Sequence, residues 1–298
     1  YTSTRIGYCE NILCDRENNR NGDTMEFIEL LKAFILGVVE GLTEFAPVSS
    51  TGHMIIFDDL WLKTDEFIGG PSANTFKIVI QLGSILAVIF IFWKRILSLV
   101  GLYKLEGEKI TTFNIFHVAV GILPAGILGL LFEDFIDEHL FSIETVIIGL
   151  LVGAIFMIIA DKFGPKKPSI NSLDEISYGK ALKIGLIQCV SLWPGFSRSG
   201  STISGGVLLG VDHKTAADFT FIMAVPIMMG ASVLSIVKNW EAISMDHLSF
   251  YIVGFVTAFI FALISIKFFL KLISRIKLMP FAIYRIVLAI ILAFIVFL

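Results

Sequence analysis

Gly37–His53, GVVEGLTEFAPVSSTGH, is the stretch from which the architecture of the chain can be worked out. It lies within an apolar segment, yet it carries Glu40 and Glu44, a cluster of hydroxyls, Pro47 and His53. A charged side chain at mid-bilayer depth costs roughly 2.5–3.5 kcal/mol on insertion scales, so a carboxylate there points to function. A second stretch, Gly185–Ser201, reads GLIQCVSLWPGFSRSGS and lies at an offset of 148 residues. That offset sets Gly37 on Gly185, Glu40 on Gln188, and Ser49-Ser50-Thr51-Gly52 on Ser197-Arg198-Ser199-Gly200. Two polar, Gly/Pro-interrupted apolar segments in matching halves indicate a binding site inside a membrane protein built from repeats.

Composition agrees. Of 298 residues, 56% are hydrophobic and 16% charged, with a mean hydropathy of +0.84. Soluble domains run at about 45–50% apolar and about 25% charged, so the lipid bilayer is the expected solvent. A net charge of −3 with its basic residues scattered through short loops argues against nucleic acid as a partner. Residues 1–24 are polar, lack the apolar core of a signal peptide, and read as an extension ahead of a start at Met25. Cys9 and Cys14 in that extension do not establish a disulfide by spacing alone. Cys189, in an apolar segment, reads as a small buried hydrophobe.

A helix needs about 20 apolar residues to cross the hydrocarbon. The first half supplies three such segments, Thr75–Trp93, Phe113–Phe132 and Ser142–Ala160; the second supplies Thr215–Val237, Leu248–Leu270 and Met279–Leu298. Each half also has a shorter pair: Phe27–Phe45 with Ser50–Trp61, and Tyr178–Trp193 with Ser199–Gly210. The second member of each is too short to span and follows a Pro/Gly break, which predicts re-entrant hairpins. The expected fold is an all-α polytopic membrane protein of six transmembrane helices and two re-entrant hairpins. Residues 25–298 form its single membrane domain: repeat one over about 25–160, a linker over about 161–177, and repeat two over about 178–298.

The loop basic residues set orientation. Lys94, Arg95, Lys104 and Lys109, then Lys162, Lys166 and Lys167, then Lys271, Arg275 and Lys277 fall on one face when six spans are counted. That face is the cytoplasm; the loop Glu133–His139 opposite is acidic, and Lys238–His247 sets one Lys against Glu241 and Asp246. Three spans separate the hairpins, so the repeats are inverted, and their tips should meet near the midplane. Trp61, Trp93 and Trp240 suit interfacial anchors, whereas Trp193, at a tip, walls the cavity instead.

At the tips, Glu40 and Glu44 share a helix face at i and i+4. Such a pair can hold a hard divalent cation, Mg²⁺ or Ca²⁺, or provide a base; a purely structural pair is the alternative. Ser49, Ser50 and Thr51 precede a helix expected to begin near Gly52, and Ser197, Ser199, Gly200 and Ser201 surround Arg198 in the same way. Each serine could be a simple N-cap. Two helix N-termini facing each other across an arginine also form a phosphate cradle, since exposed amides and a planar guanidinium both suit phosphate. The competing account of Arg198 is an ion pair with Glu44 or Glu40. His53, one turn past Ser50, should face the same cavity as a base. His117, His139, His213 and His247 fall at span ends or in loops and carry no expected role; Asp212, His213 and Lys214 read as a solvated turn.

These are also the residues of a resemblance. EGLTEFAPVSSTGH and PGFSRSGSTISGG resemble the two signature regions of the bacterial undecaprenyl-pyrophosphate phosphatases, the bacitracin-resistance phosphatases, over essentially Met25–Leu298 and including FAIYR at Phe281–Arg285. Ala46 stands where many members have leucine. The resemblance implies hydrolysis of a polyprenyl diphosphate lipid, undecaprenyl diphosphate, to the monophosphate in the bacterial plasma membrane, recycling the lipid carrier of the cell wall. It places Glu40, Glu44, Ser50, His53 and Arg198 at the catalytic positions and makes a homodimer a family-level expectation. The nucleophile is either Ser50 or an activated water. The lipid tail would leave sideways between spans, with catalysis facing the extracytoplasmic side. A carrier or flippase built on the same inverted repeats is the rival class, although transport needs no Ser50/His53 pair.

Overall fold

The structure, a computed structural model, describes residues 26–104, 112–238 and 247–297. The polar extension with Cys9 and Cys14, Lys109, Trp240, Glu241 and Asp246 lie outside the described residues. Among them every regular element is a helix, apart from an isolated bridge between Ile170 and Val211.

Helix α1 occupies 26–43. After a turn come α2, Ser50–Met54, its π-helical continuation Ile55–Leu62, and the short α3, Thr64–Ile68. Helices α4 (Gly70–Leu99), α5 (Ile115–Leu131), α6 (Glu133–Leu140) and α7 (Ile143–Phe163) complete the first half. The second half runs α8 (Tyr178–Gln188) with a 3₁₀ turn Cys189–Leu192, α9 (Arg198–Leu208), α10 (His213–Lys238), α11 (Leu248–Ile276) and α12 (Met279–Phe297). Among the described residues, α4, α7, α10, α11 and α12 are long and apolar enough to cross a membrane, and α5 with α6 makes a bent sixth. All six spans expected from hydropathy fall on these helices, and both short pairs fall on α1/α2 and α8/α9.

Some connections differ from expectation. The basic residues Lys94 and Arg95 continue α4 rather than open a loop; the helix bends at Phe92 (φ −100, ψ 16), where the apolar span ends. Glu133–His139, expected as an acidic loop, is helix α6, turned 72° from α5. Glu133 and Asp134 in its first turn and His139 in its last complement the helix dipole, which favours helix over coil. The turn Asp212–Lys214 is not merely solvated. Asp212 caps α10 through the amides of Lys214 (3.0 Å) and Thr215 (3.4 Å), and His213 Nε2 meets Asp161 Oδ1 at 2.8 Å. Asp161 Oδ2 also accepts the amides of Leu278 (2.8 Å) and Met279 (2.7 Å), so one carboxylate ties α7, α10 and the start of α12 together.

Small residues bring the short helices close to long ones, as helix packing in lipid favours. A Cβ at Gly37 would stand 2.7 Å from Gly254 O of α11; one at Gly185 would stand 2.3 Å from Gly121 O of α5. These contacts seat α1 and α8 and so place the turns that follow them.

Candidate active site

Each turn ends on a serine in an unusual conformation. Ser49 has φ 71, ψ 98 and Ser197 has φ 73, ψ 117, outside the regions that L-residues prefer. Strain of this kind costs on the order of 1–3 kcal/mol and persists only where the surroundings impose it. Both side chains act as N-caps: Ser49 Oγ accepts from Gly52 N (3.4 Å) and Ser197 Oγ from Gly200 N (3.2 Å). The helix therefore begins at Ser50 rather than Gly52, and the Gly52 and Gly200 amides serve the caps instead of facing the cavity.

The two turns meet. Ser199 Oγ donates to Ala46 O at 3.1 Å, crossing from one half to the other. Arg198 Nη2 donates to Glu44 Oε1 at 2.8 Å, and Ser50 Oγ donates to Glu44 Oε2 at 2.6 Å. Glu44, Ser50 and Arg198 thus form one cluster, with Glu44 bridging the other two. The guanidinium lies 5.9 Å from the Phe45 ring centroid and touches Met228 Sδ at 3.2 Å. Its Nη1 is buried without a hydrogen-bond partner.

A cavity of about 200 Å³ opens on this cluster, lined by Glu44, Ser49, Ser50, Thr51, Ser197 and Arg198 together with Gln81, Ser191, Trp193 and Met228. Trp193 is where the sequence placed it, its Nε1 donating to Thr145 O at 2.9 Å. Of the other expected site residues, Ser201 is fully buried and its Oγ turns back to Arg198 O at 2.9 Å. Glu40 is buried one helical turn behind Glu44, and its Oε1 has no partner.

His53 does not line the cavity. Its Nδ1 lies 2.7 Å from Ser49 O and its Nε2 2.7 Å from the Tyr284 hydroxyl. A carbonyl can only accept, so Nδ1 carries the proton and Nε2 accepts from Tyr284. The carboxylate that meets Ser50 Oγ is Glu44, and His53 meets the backbone carbonyl of the residue before it. Tyr284 and its neighbour Arg285, 0% exposed, received no role from sequence reasoning. The rule that singled out Glu40, a charge inside an apolar span, also applies to Arg285.

For a cation, the donors are few. Among the described residues no group of three or more His, Cys, Asp or Glu gathers to hold one. Glu40 and Glu44 alone fit a hard ion only if substrate oxygens complete its shell; the unpartnered Glu40 Oε1 is the feature that fits.

Comparison with known proteins gives a consistent picture. Residues 33–291 match the family model described as bacitracin resistance protein BacA. A protein of Exiguobacterium sibiricum named undecaprenyl-diphosphatase is 69% identical over 277 residues, covering 92% of this chain and 100% of the relative. Proteins of the same name from Bacillus subtilis (60% over 271 residues; 90% and 98% covered) and Staphylococcus aureus strain Newman (59% over 283 residues; 92% and 97%) are also similar.

Proposed function

The chain belongs to the family of the bacitracin resistance protein BacA, and from that premise we propose that it is an undecaprenyl-diphosphatase working at the Glu44–Ser50–Arg198 cluster. The observation that carries the site assignment is the joining of Ser50 and Arg198, one from each half, through a single carboxylate.

The diphosphate head enters the cavity with its terminal phosphoryl group against Arg198, whose Nη1 donors are unpartnered and whose planar fork suits two phosphate oxygens. As phosphate competes for the guanidinium, Glu44 is released from its ion pair and becomes a stronger base. Ser50 Oγ then attacks the terminal phosphorus, and its proton passes to Glu44 across the existing 2.6 Å hydrogen bond. The bridging P–O bond breaks and the polyprenyl monophosphate leaves. The departing monophosphate takes the proton from Glu44, which as a carboxylate again deprotonates a water. That water attacks the phosphoserine, phosphate leaves, and the proton held by Glu44 returns to Ser50 Oγ. Phosphoryl transfer asks chiefly for positioning and charge neutralisation, which Arg198 and the two helix starts provide. A divalent cation, held by Glu40 and Glu44, would add further neutralisation of the phosphate charge.

The inverted arrangement is part of this reading. Gly37 and Gly41 seat α1 on α11 as Gly185 seats α8 on α5, an exchange of partners between halves. The 148-residue offset also extends into the spans, aligning GSILAVI at 83–89 of α4 with ASVLSIV at 231–237 of α10. Both support two re-entrant pairs entering from opposite leaflets. The basic residues at the ends of α4 and α7 favour a cytoplasmic face for Lys94 and Lys162 and an extracytoplasmic opening for the site.

Purified protein in detergent is expected to release phosphate from a polyprenyl diphosphate. Absence of release under conditions where the protein is folded would favour a carrier. In the same assay, excess EDTA is expected to suppress turnover and added Mg²⁺ or Ca²⁺ to restore it; unchanged activity would leave Glu40 and Glu44 without an ion.

A further inference from the structure

We infer that Tyr284 and Arg285, consecutive on α12, are positioning residues that hold the two halves of the site in register, one gripping each half. The inference rests on the site proposed above. Neighbours on a helix project about 100° apart, so two adjacent side chains can reach two different elements.

Tyr284 takes the first half. Its hydroxyl lies 2.7 Å from His53 Nε2, and the two rings lie nearly parallel, 7° apart with centroids 5.6 Å apart. His53 in turn holds Ser49 O, the carbonyl of the strained residue directly before Ser50. The direction in which Ser50 Oγ points is therefore fixed through His53 from α12.

Arg285 takes the second half. Its Nη2 donates to Gly195 O (2.8 Å) and to Gly149 O of α7 (3.2 Å), stapling the Pro194–Gly195 turn to a spanning helix. Gly195 lies three residues before Arg198 and itself lines the cavity. The guanidinium occupies a notch that glycines keep open: a Cβ at Gly153 would stand 2.3 Å from Nη2, and one at Gly200 would stand 3.0 Å from Nη1. The turn sits flush on α7, since a Cβ at Gly195 would stand 2.3 Å from Val146 O.

The energetics argue against a stabilising role. Arg285 is wholly buried, and among the described residues no carboxylate lies within ion-pairing distance of it. Burying an unpaired charge is costly even after relaxation, so a wholly buried arginine is a poor device for stability alone. A costly group that grips one carbonyl on a scaffold helix and one on the Arg198 turn orients that turn.

The test uses the full-length protein in detergent, with phosphate release from a polyprenyl diphosphate and a thermal-unfolding midpoint measured on each variant. Arg285→Met is expected to lower kcat about 100-fold, the effect of a shift near 1 Å in a reacting group, with KM little changed and the midpoint equal to or above the parent's. Arg285→Lys is expected to recover part of that loss, since an ammonium can reach the same carbonyls. Tyr284→Phe is expected to lower kcat about tenfold, the weight of one hydrogen bond. Parental kcat in Arg285→Met and Tyr284→Phe overturns the inference. So does a loss that follows a falling midpoint and is not rescued by lysine. If Arg285→Met does not fold, Arg285→Lys and Tyr284→Phe carry the test, and parental kcat in both overturns it. Turnover retained by Arg198→Ala would instead remove the site itself, leaving the α12 variants nothing to position.

Discussion

Arg198→Ala is expected to abolish measurable phosphate release while the protein remains folded and inserted. Among the described residues Arg198 is the one cation that both lines the cavity and pairs with Glu44, so its removal takes away the main partner for phosphate charge. Arginines that stabilise transferring phosphoryl groups are worth about 10³–10⁵ in rate, and a loss of at least about 10³-fold is the expected size. The fold should survive, because Glu44 borders a cavity and can be hydrated once its partner is gone. Size-exclusion behaviour and the unfolding midpoint check that part. Arg198→Lys should fall between, keeping the charge and losing the fork. Turnover near the parental rate in Arg198→Ala would remove the residue from the chemistry.

Ser50→Ala carries the second large effect. If Ser50 is the nucleophile, its loss should lower kcat by roughly 10⁶-fold, as removal of an attacking hydroxyl does in serine hydrolases, while a diphosphate lipid still binds. A phosphoenzyme should be trapped in the parent by rapid acid quench and be missing from the variant. Residual hydrolysis within about tenfold of the parent would identify water as the attacking group, with Glu44 as its base. The two variants separate two roles, since Arg198 governs charge and Ser50 governs bond formation.

Much of this was legible in the chain. The spans followed from hydropathy, because an apolar run of bilayer length has few folds open to it. The cluster of Glu44, Ser50 and Arg198 followed from repetition, since two matching breaks in two halves meet naturally at one place. The competing ion pair between Arg198 and Glu44 is present in the structure, and it serves the proposed chemistry as a resting state. Other features were hidden. Hydropathy has no signal for a helix that continues past the interface, as α4 does, or for the acidic α6. The partner of His53 could not be read from spacing, because Tyr284 lies 231 residues away and meets it only when α12 packs beside α7. Arg285 was visible as a charge within an apolar span but had no sequence neighbour to suggest its carbonyl partners.

The size of the cavity has one more consequence. At about 200 Å³ it falls below the roughly 300–1,000 Å³ of pockets that enclose drug-sized ligands. A polyprenyl tail has no room inside, so the pocket grips only what every such lipid shares. In the proposed reaction, any selection by isoprenoid length would have to act outside this pocket, along the lipid-facing helices or in the bilayer itself.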